Sequence, residues 1–185
     1  MNPILIIKKI RLLALISLIA LAIPLSAKVF FSKEEALKKH FHDAKIVRKT
    51  IFLTKDQLAQ AEQLAGKKIP SALLYSYKAW KENQFIGTAY FDTHRVRTLP
   101  ETLMVIIDPR GKIQDLEVLS FKEPQEYLPR KLWYEQFQGK SLSKKLYLGQ
   151  EINAISGATL TARATTQAVR RSLALYQTLE TTDKK

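Results

Sequence analysis

Ser156-Gly157-Ala158-Thr159, continued by Leu160-Thr161, is the segment of this 185-residue chain best suited to chemistry. It lies between a short apolar stretch, residues 152–155, and a long helical pattern that begins near Thr161. A small, glycine-containing turn that opens a helix is an anion site, because backbone N–H groups point outward there and the helix dipole favours negative charge. A hydroxyl at that point can hold a phosphate or carry one as an ester. Ser156, Thr159 and Thr161 are the hydroxyls it offers, Thr161 with capping or bonding a phosphate as its expected role, while Gly157 and Ala158 lack bulk and Gly157 can also take a positive φ. By itself the tetrapeptide equally describes a plain helix-opening loop in which Ser156 or Thr159 caps.

The elements that would position this loop are legible upstream. Ser32-Lys33-Glu34-Glu35 is a capping box that opens a helix to about Ala44, with Ala36, Leu37 and Phe41 on one face. Thr54-Lys55-Asp56-Gln57 repeats the device, Leu58, Ala61, Leu64 and Ala65 keep the helical period, and Gly66 is a suitable C′ residue. The period then changes. Residues 73–80 alternate in places, Glu82-Asn83 can turn, and residues 85–91 read as a second strand. Residues 102–108 form a dense apolar strand, Asp108-Pro109-Arg110-Gly111 is a turn, and residues 113–121 complete a hairpin. Residues 130–138 read as a short helix with Trp133 and Phe137, stopped at Gly139. A last helix over 161–179 carries Leu160, Ala164, Ala168, Leu175 and Leu179 among its apolar positions. Helix, helix, strands, helix, helix predicts an α+β domain: an antiparallel sheet flanked by helices, with a C-terminal helix following the loop.

Composition narrows the setting. Residues 1–27 read as a targeting segment: basic Lys8, Lys9 and Arg11, an apolar run over 12–23, then Pro24-Leu25-Ser26-Ala27. A cleaved signal peptide or an uncleaved N-terminal membrane anchor both fit, and either puts the remainder in the periplasm or another extracytoplasmic space, with attachment to the inner membrane in the second case. Loss of the segment would remove those three basic residues and no acidic one, leaving +10 of the formal +13. That surface favours anionic partners, and export argues against nucleic acid. The chain has no cysteine, which excludes disulfides, thiol redox chemistry, cysteine-ligated zinc and iron–sulfur clusters.

Hydrolytic and metal chemistry find little support. The three histidines are His40, His42 and His94. His40 and His42 lie two apart and do not share a helical face, so surface positions are expected. His94-Arg95-Val96-Arg97 is either a partner for an anion or a plain basic loop. Tyr75, Tyr77, Trp80, Tyr90, Trp133 and Tyr134 are candidate stackers, with core packing the expected use of most of them.

Asn153-Ala154-Ile155-Ser156-Gly157-Ala158-Thr159-Leu160-Thr161 resembles the flavinylation motif of FMN-binding domains, the family that includes the covalent-FMN subunits of the sodium-translocating NADH:quinone reductase and of Rnf complexes. Residues 87–92, 105–113, Glu123-Pro124 and 133–140 are similar to small single-domain exported members in order and spacing, so the resemblance covers about Phe85 to Leu175. It implies FMN joined through its phosphate to Thr159 by a flavin transferase, with Ser156, Gly157, Ala158, Leu160 and Thr161 around the cofactor and Asn153 in transferase recognition. One departure stands out: the family usually has aspartate where this chain has Asn153, which keeps the shape and loses the charge.

The expected organisation is a signal peptide or anchor over 1–27, a helical part over 28–84, an FMN-binding core over 85–180 and a disordered tail over 181–185. The expected function is that of an exported FMN protein, an electron carrier rather than a stand-alone enzyme, which passes electrons between a membrane redox partner and an extracytoplasmic acceptor. The alternatives are a non-redox binding or scaffold module of the same fold without flavin, and a flavin-dependent reductase.

Overall fold

The computed structural model describes residues 28–182; the expected signal or anchor of residues 1–27 lies outside them. The strands are β1 (Lys28–Val29), β2 (Lys45–Phe52), β3 (Leu73–Lys81), β4 (Gln84–Arg95), β5 (Pro100–Ile107) and β6 (Ile113–Phe121). The helices are α1 (Lys33–His40), α2 (Lys55–Ala65), α3 (Lys131–Glu135) and α4 (Thr159–Thr182), and a 3-10 turn spans Gln125–Tyr127. All strand pairs are antiparallel in the order β1-β6-β5-β4-β3-β2. The α+β class with a C-terminal helix on the sheet is the architecture the sequence predicts.

Both capping boxes form. The Glu35 N–H donates to Ser32 Oγ (3.2 Å) and the Ser32 N–H to Glu35 Oε2 (2.7 Å). The Gln57 N–H donates to Thr54 Oγ1 (3.2 Å) and the Thr54 N–H to Gln57 Oε1 (3.0 Å), and Gly66 ends α2 in the left-handed region at φ +71°. Glu82 and Asn83, both at positive φ, make the β3–β4 turn.

The element order differs from expectation in one respect. Strand β2 separates the first two helices, and β1 and β2 carried no strand reading within 28–84, whereas β3 falls on the alternating stretch 73–80. Lys45-Ile46-Val47-Arg48-Lys49-Thr50-Ile51-Phe52 is an edge strand with exposed cations on both faces, so its alternation is weak; edge strands commonly carry lysine for solubility. Three helices also have other bounds than expected. Helix α1 ends at His40, α3 holds five residues before turns lead to Gly139, and α4 starts at Thr159 and runs through Thr182. Residues 181–182, expected in the tail, are therefore the helix's last turn, and 183–185 lie outside the described residues.

The sheet is covered on both faces. Helix α1 lays Ala36, Leu37 and Phe41 on Ala79, Ala89, Met104, Ile106 and Leu119. On the other face α4 sets Ala162, Val169 and Leu173 against Tyr90, Leu103, Val105 and Ile107, with Trp133 and Phe137 closing the side. Helix α2 packs on α4 through Ala61 and Leu175. Residues 168–176 of α4 are consequently buried all round, not along one stripe, and Leu160 of the expected apolar positions is exposed.

Arg170 shows how such a helix accommodates a cation. Its guanidinium donates to Ala65 O (3.0 Å), Leu64 O (3.1 Å), Ser143 O (2.8 Å) and Leu146 O (3.3 Å), and stacks 3.9 Å from the Tyr147 ring centroid. It thereby satisfies the last carbonyls of α2, where the helix dipole favours a positive charge.

Candidate functional site

The loop before α4 is held from its upstream side. Trp133 Nε1 donates to Asn153 O (2.8 Å), the Asn153 N–H donates to Gln136 Oε1 (2.7 Å), and Gln136 Nε2 donates to Trp133 O (2.7 Å). These bonds use only the backbone of Asn153, and the residue itself is exposed. Ser156 and Gly157 follow, both exposed, with Gly157 at φ +81° and nothing within 4 Å of the position a Cβ would take. The conformation favours glycine, and the direction above it is open.

Thr159 is the first residue of α4 and is exposed. Its Oγ1 donates to Ile155 O (3.0 Å), which uses the hydroxyl proton and leaves the oxygen's acceptor capacity. Ala158 is buried, so the loop is pinned immediately before the hydroxyl. Thr161 behaves differently from its expected capping or phosphate-bonding role: it is 1% exposed, and its Oγ1 donates to Tyr127 O (2.6 Å), which ties α4 to the 3-10 turn. The tertiary fold thus separates two hydroxyls that the sequence left in competition.

Gly157, Ala158, Thr159, Leu160 and Thr161 line a cavity of about 200 Å³ together with Val96, Arg97, Glu123 and Tyr127. Ser156 and Asn153 are not in that lining. Glu123, 6% exposed, accepts at one oxygen the N–H groups of Arg97 (3.2 Å), Thr98 (2.6 Å) and Leu99 (2.7 Å). The bond from Leu99 is the largest influence that lowers its carboxyl below the usual range, those from Thr98 and Arg97 add to it, and partial desolvation opposes them. A buried carboxylate therefore fixes the β4–β5 loop that forms one cavity wall.

The strands that flank that loop carry, with α4, an alternating charge row. Arg171 donates twice to Asp92 (2.8 and 2.7 Å), Asp92 Oδ1 meets His94 Nδ1 (2.9 Å), and His94 Nε2 meets Glu101 Oε2 (2.9 Å), which also accepts from Thr165 Oγ1 (3.3 Å). Burial would push His94 down, but bonding to Asp92 and Glu101 raises it to about 9. Burial likewise opposes the Asp92 charge, yet His94 and Arg171 hold that carboxyl at about 2. Glu101 is fully buried, and burial followed by the Glu101 charge raises Tyr134 well above the ordinary phenol range.

His94 is thus not a basic loop residue: its anionic partners are the internal carboxylates of Asp92 and Glu101, and of its tetrapeptide Val96 and Arg97 reach the cavity. His40 also departs from the expected surface position: it is largely buried, with Nε2 2.7 Å from Glu117 and Nδ1 3.4 Å from Asp115. Among the candidate stackers, Tyr90, Trp133 and Tyr134 are core, Tyr77 is partly buried and Tyr75 and Trp80 are exposed. The cavity's aromatic residue is Tyr127, which carried no spacing signal; Glu123 was visible only as part of the Glu123-Pro124 resemblance.

The fold and loop define the class: an α+β domain with an open, hydroxyl-bearing helix start suited to an anion. Residues 99–174 match the FMN-binding domain family. The match takes in all of β5, then β6, α3, the loop and two thirds of α4, while β1 to β4 precede it. No curated protein matches the chain. The residues present fit an FMN phosphate: an exposed hydroxyl at the first turn of a 24-residue helix, an unobstructed glycine beside it, and Arg97 at the cavity. The cavity is smaller than pockets that enclose a drug-sized molecule, so it suits the phosphate end rather than the whole cofactor.

Proposed function

We propose that the chain is an exported flavoprotein that carries FMN on Thr159 as a phosphoester and passes electrons between a membrane redox protein and an extracytoplasmic acceptor. The observation that carries the reading is the exposed Thr159 hydroxyl at the start of α4, beside an open Gly157, within a stretch that matches the FMN-binding domain family. When bound, the isoalloxazine supplies one- and two-electron chemistry, with no acid or base required of the chain.

The chain's contribution is presentation. Thr159 Oγ forms a new bond to phosphorus of an activated flavin phosphate, the bond from phosphorus to its leaving group breaks, and the hydroxyl proton goes to a base of the flavin transferase. The helix N–H groups and Arg97 would hold the remaining phosphate charge. A cavity of that limited volume suits a carrier better than a reductase with its own enclosed substrate pocket. Asn153, exposed and held only by its backbone, is available for recognition by the transferase.

The test is co-expression with a flavin transferase in the export compartment, followed by denaturing electrophoresis under ultraviolet light and intact mass. One FMN added with loss of water, fluorescence lost in Thr159→Ala and kept in Thr161→Ala, is the expected result. Absence of fluorescence with a transferase active on a control substrate overturns covalent attachment.

A further inference from the structure

The corner where β2 gives way to α2 holds a large aromatic side chain out of the core. Phe52 is 74% exposed and stands opposite Leu73, its cross-strand partner, which is 39% exposed. Tyr75 follows two residues later on the same face and is also 39% exposed. The corner is tied down: the Leu53 N–H donates to Ala72 O (2.9 Å), and the Thr54 capping box fixes the chain directly after Phe52. The apolar group is therefore held outward by structure.

The segment around it is mainly cationic: residues 45–81 carry eight Lys or Arg and two acidic residues, Asp56 and Glu62. Glu180 of α4 lines a cavity with Phe52 and is paired with Lys78 (3.0 Å). Glu62 is engaged locally, by Lys68 (2.9 Å) and the Ile69 N–H (3.0 Å). The Arg48 guanidinium lies 4.2 Å from the Tyr75 ring centroid, which keeps a positive charge on the aromatic face, and exposed Lys55 follows the corner on its other side.

We infer that this corner is a membrane-contact surface for an anionic lipid bilayer, with Phe52 and Leu73 entering the headgroup boundary and Arg48 and Lys55 meeting lipid phosphates. A small apolar tip flanked by long cationic side chains suits the bilayer interface, where the rings bury and the charged ends stay in water. A specific protein partner would require a much larger complementary area than three side chains provide. Single-stranded nucleic acid would require a groove that tracks its backbone and successive stacking platforms. The contact is also distinct from residues 1–27. Those lead into β1 at one edge of the sheet, whereas β2 is the opposite edge, about 25 Å away at the usual strand spacing.

The absence of cysteine permits a direct test on the full chain. Phe52→Cys is labelled with an environment-sensitive fluorophore, Gln138→Cys serves as the reference, and each protein is reconstituted into vesicles of phosphatidylcholine alone or with phosphatidylglycerol. The expected result is a blue-shifted emission at position 52 only, with phosphatidylglycerol only, reversed by salt. Added Arg48→Gln or Lys55→Gln should each weaken that response about fivefold. Equal emission in both vesicle types, an equal shift at position 138, or the same shift produced by polyglutamate or DNA without vesicles would overturn the assignment.

Discussion

His94 and Glu101 face each other across the β4–β5 ladder, with Nε2 2.9 Å from Oε2, on the two strands joined by the loop that walls the Thr159 cavity. A buried carboxylate is tolerable there because an imidazolium and a threonine hydroxyl satisfy the same oxygen. His94 in turn depends on Asp92, and Asp92 on Arg171, so two strands and α4 share one electrostatic unit.

Stability should therefore have a bounded pH range. The folded His94 value of about 9 lies above its ordinary 6.5, so its contribution is complete below pH 6.5 and is lost as pH rises through 9. The folded Asp92 value of about 2 lies below its ordinary 3.8, so its contribution is present above pH 3.8 and is lost as pH falls through 2. Denaturant melts should give a plateau between about pH 4 and 6.5 and a loss on the order of 3 kcal/mol by pH 10. In His94→Asn the alkaline loss should disappear from a protein already less stable at neutral pH.

Arg170→Met should destabilise the fold by about 3 kcal/mol, because four carbonyls lose a charged donor and the end of α2 loses its cap. Arg170→Lys should recover little, since one ammonium cannot reproduce the planar fork. Hydrogen exchange should locate the loss at residues 61–66 before the sheet.

Trp133→Phe keeps much of the ring packing and removes the donor to Asn153 O. About 1 kcal/mol of stability should be lost. Amides of residues 153–159 should exchange faster, and flavin incorporation should fall while Thr159 remains intact. Unchanged exchange in that segment would show that Trp133 does not hold the loop.

Asn153→Asp separates recognition from folding. The exposed side chain makes none of the bonds that fix the loop, so the melting midpoint should change by less than about 0.5 kcal/mol equivalent. Flavin occupancy, measured by absorbance per chain after co-expression, should rise if the missing carboxylate limits the transferase; no change would remove Asn153 from recognition.

Local chemistry made much of this molecule readable in one dimension. The two capping boxes, the Asp108–Gly111 turn, the β5–β6 hairpin and the Ser156–Thr159 loop each depend on residues within a few positions of one another, and each forms where its signal stands. Strand β2 was not readable, because an edge strand with cations on both faces satisfies its backbone without the alternation that marks a half-buried one.

The sequence by itself determined the α+β class, the loop and the hydroxyls it offers, since cap, turn and period are properties of neighbouring residues. Only the tertiary structure decided that Thr161 is spent on Tyr127 O while Thr159 stays at the surface, that Glu123 fixes the cavity wall, and that His94 is a buried cation. Those outcomes depend on residues 24 to 34 positions apart in two cases and on burial in the third, and neither distance in space nor loss of water is encoded in any local pattern.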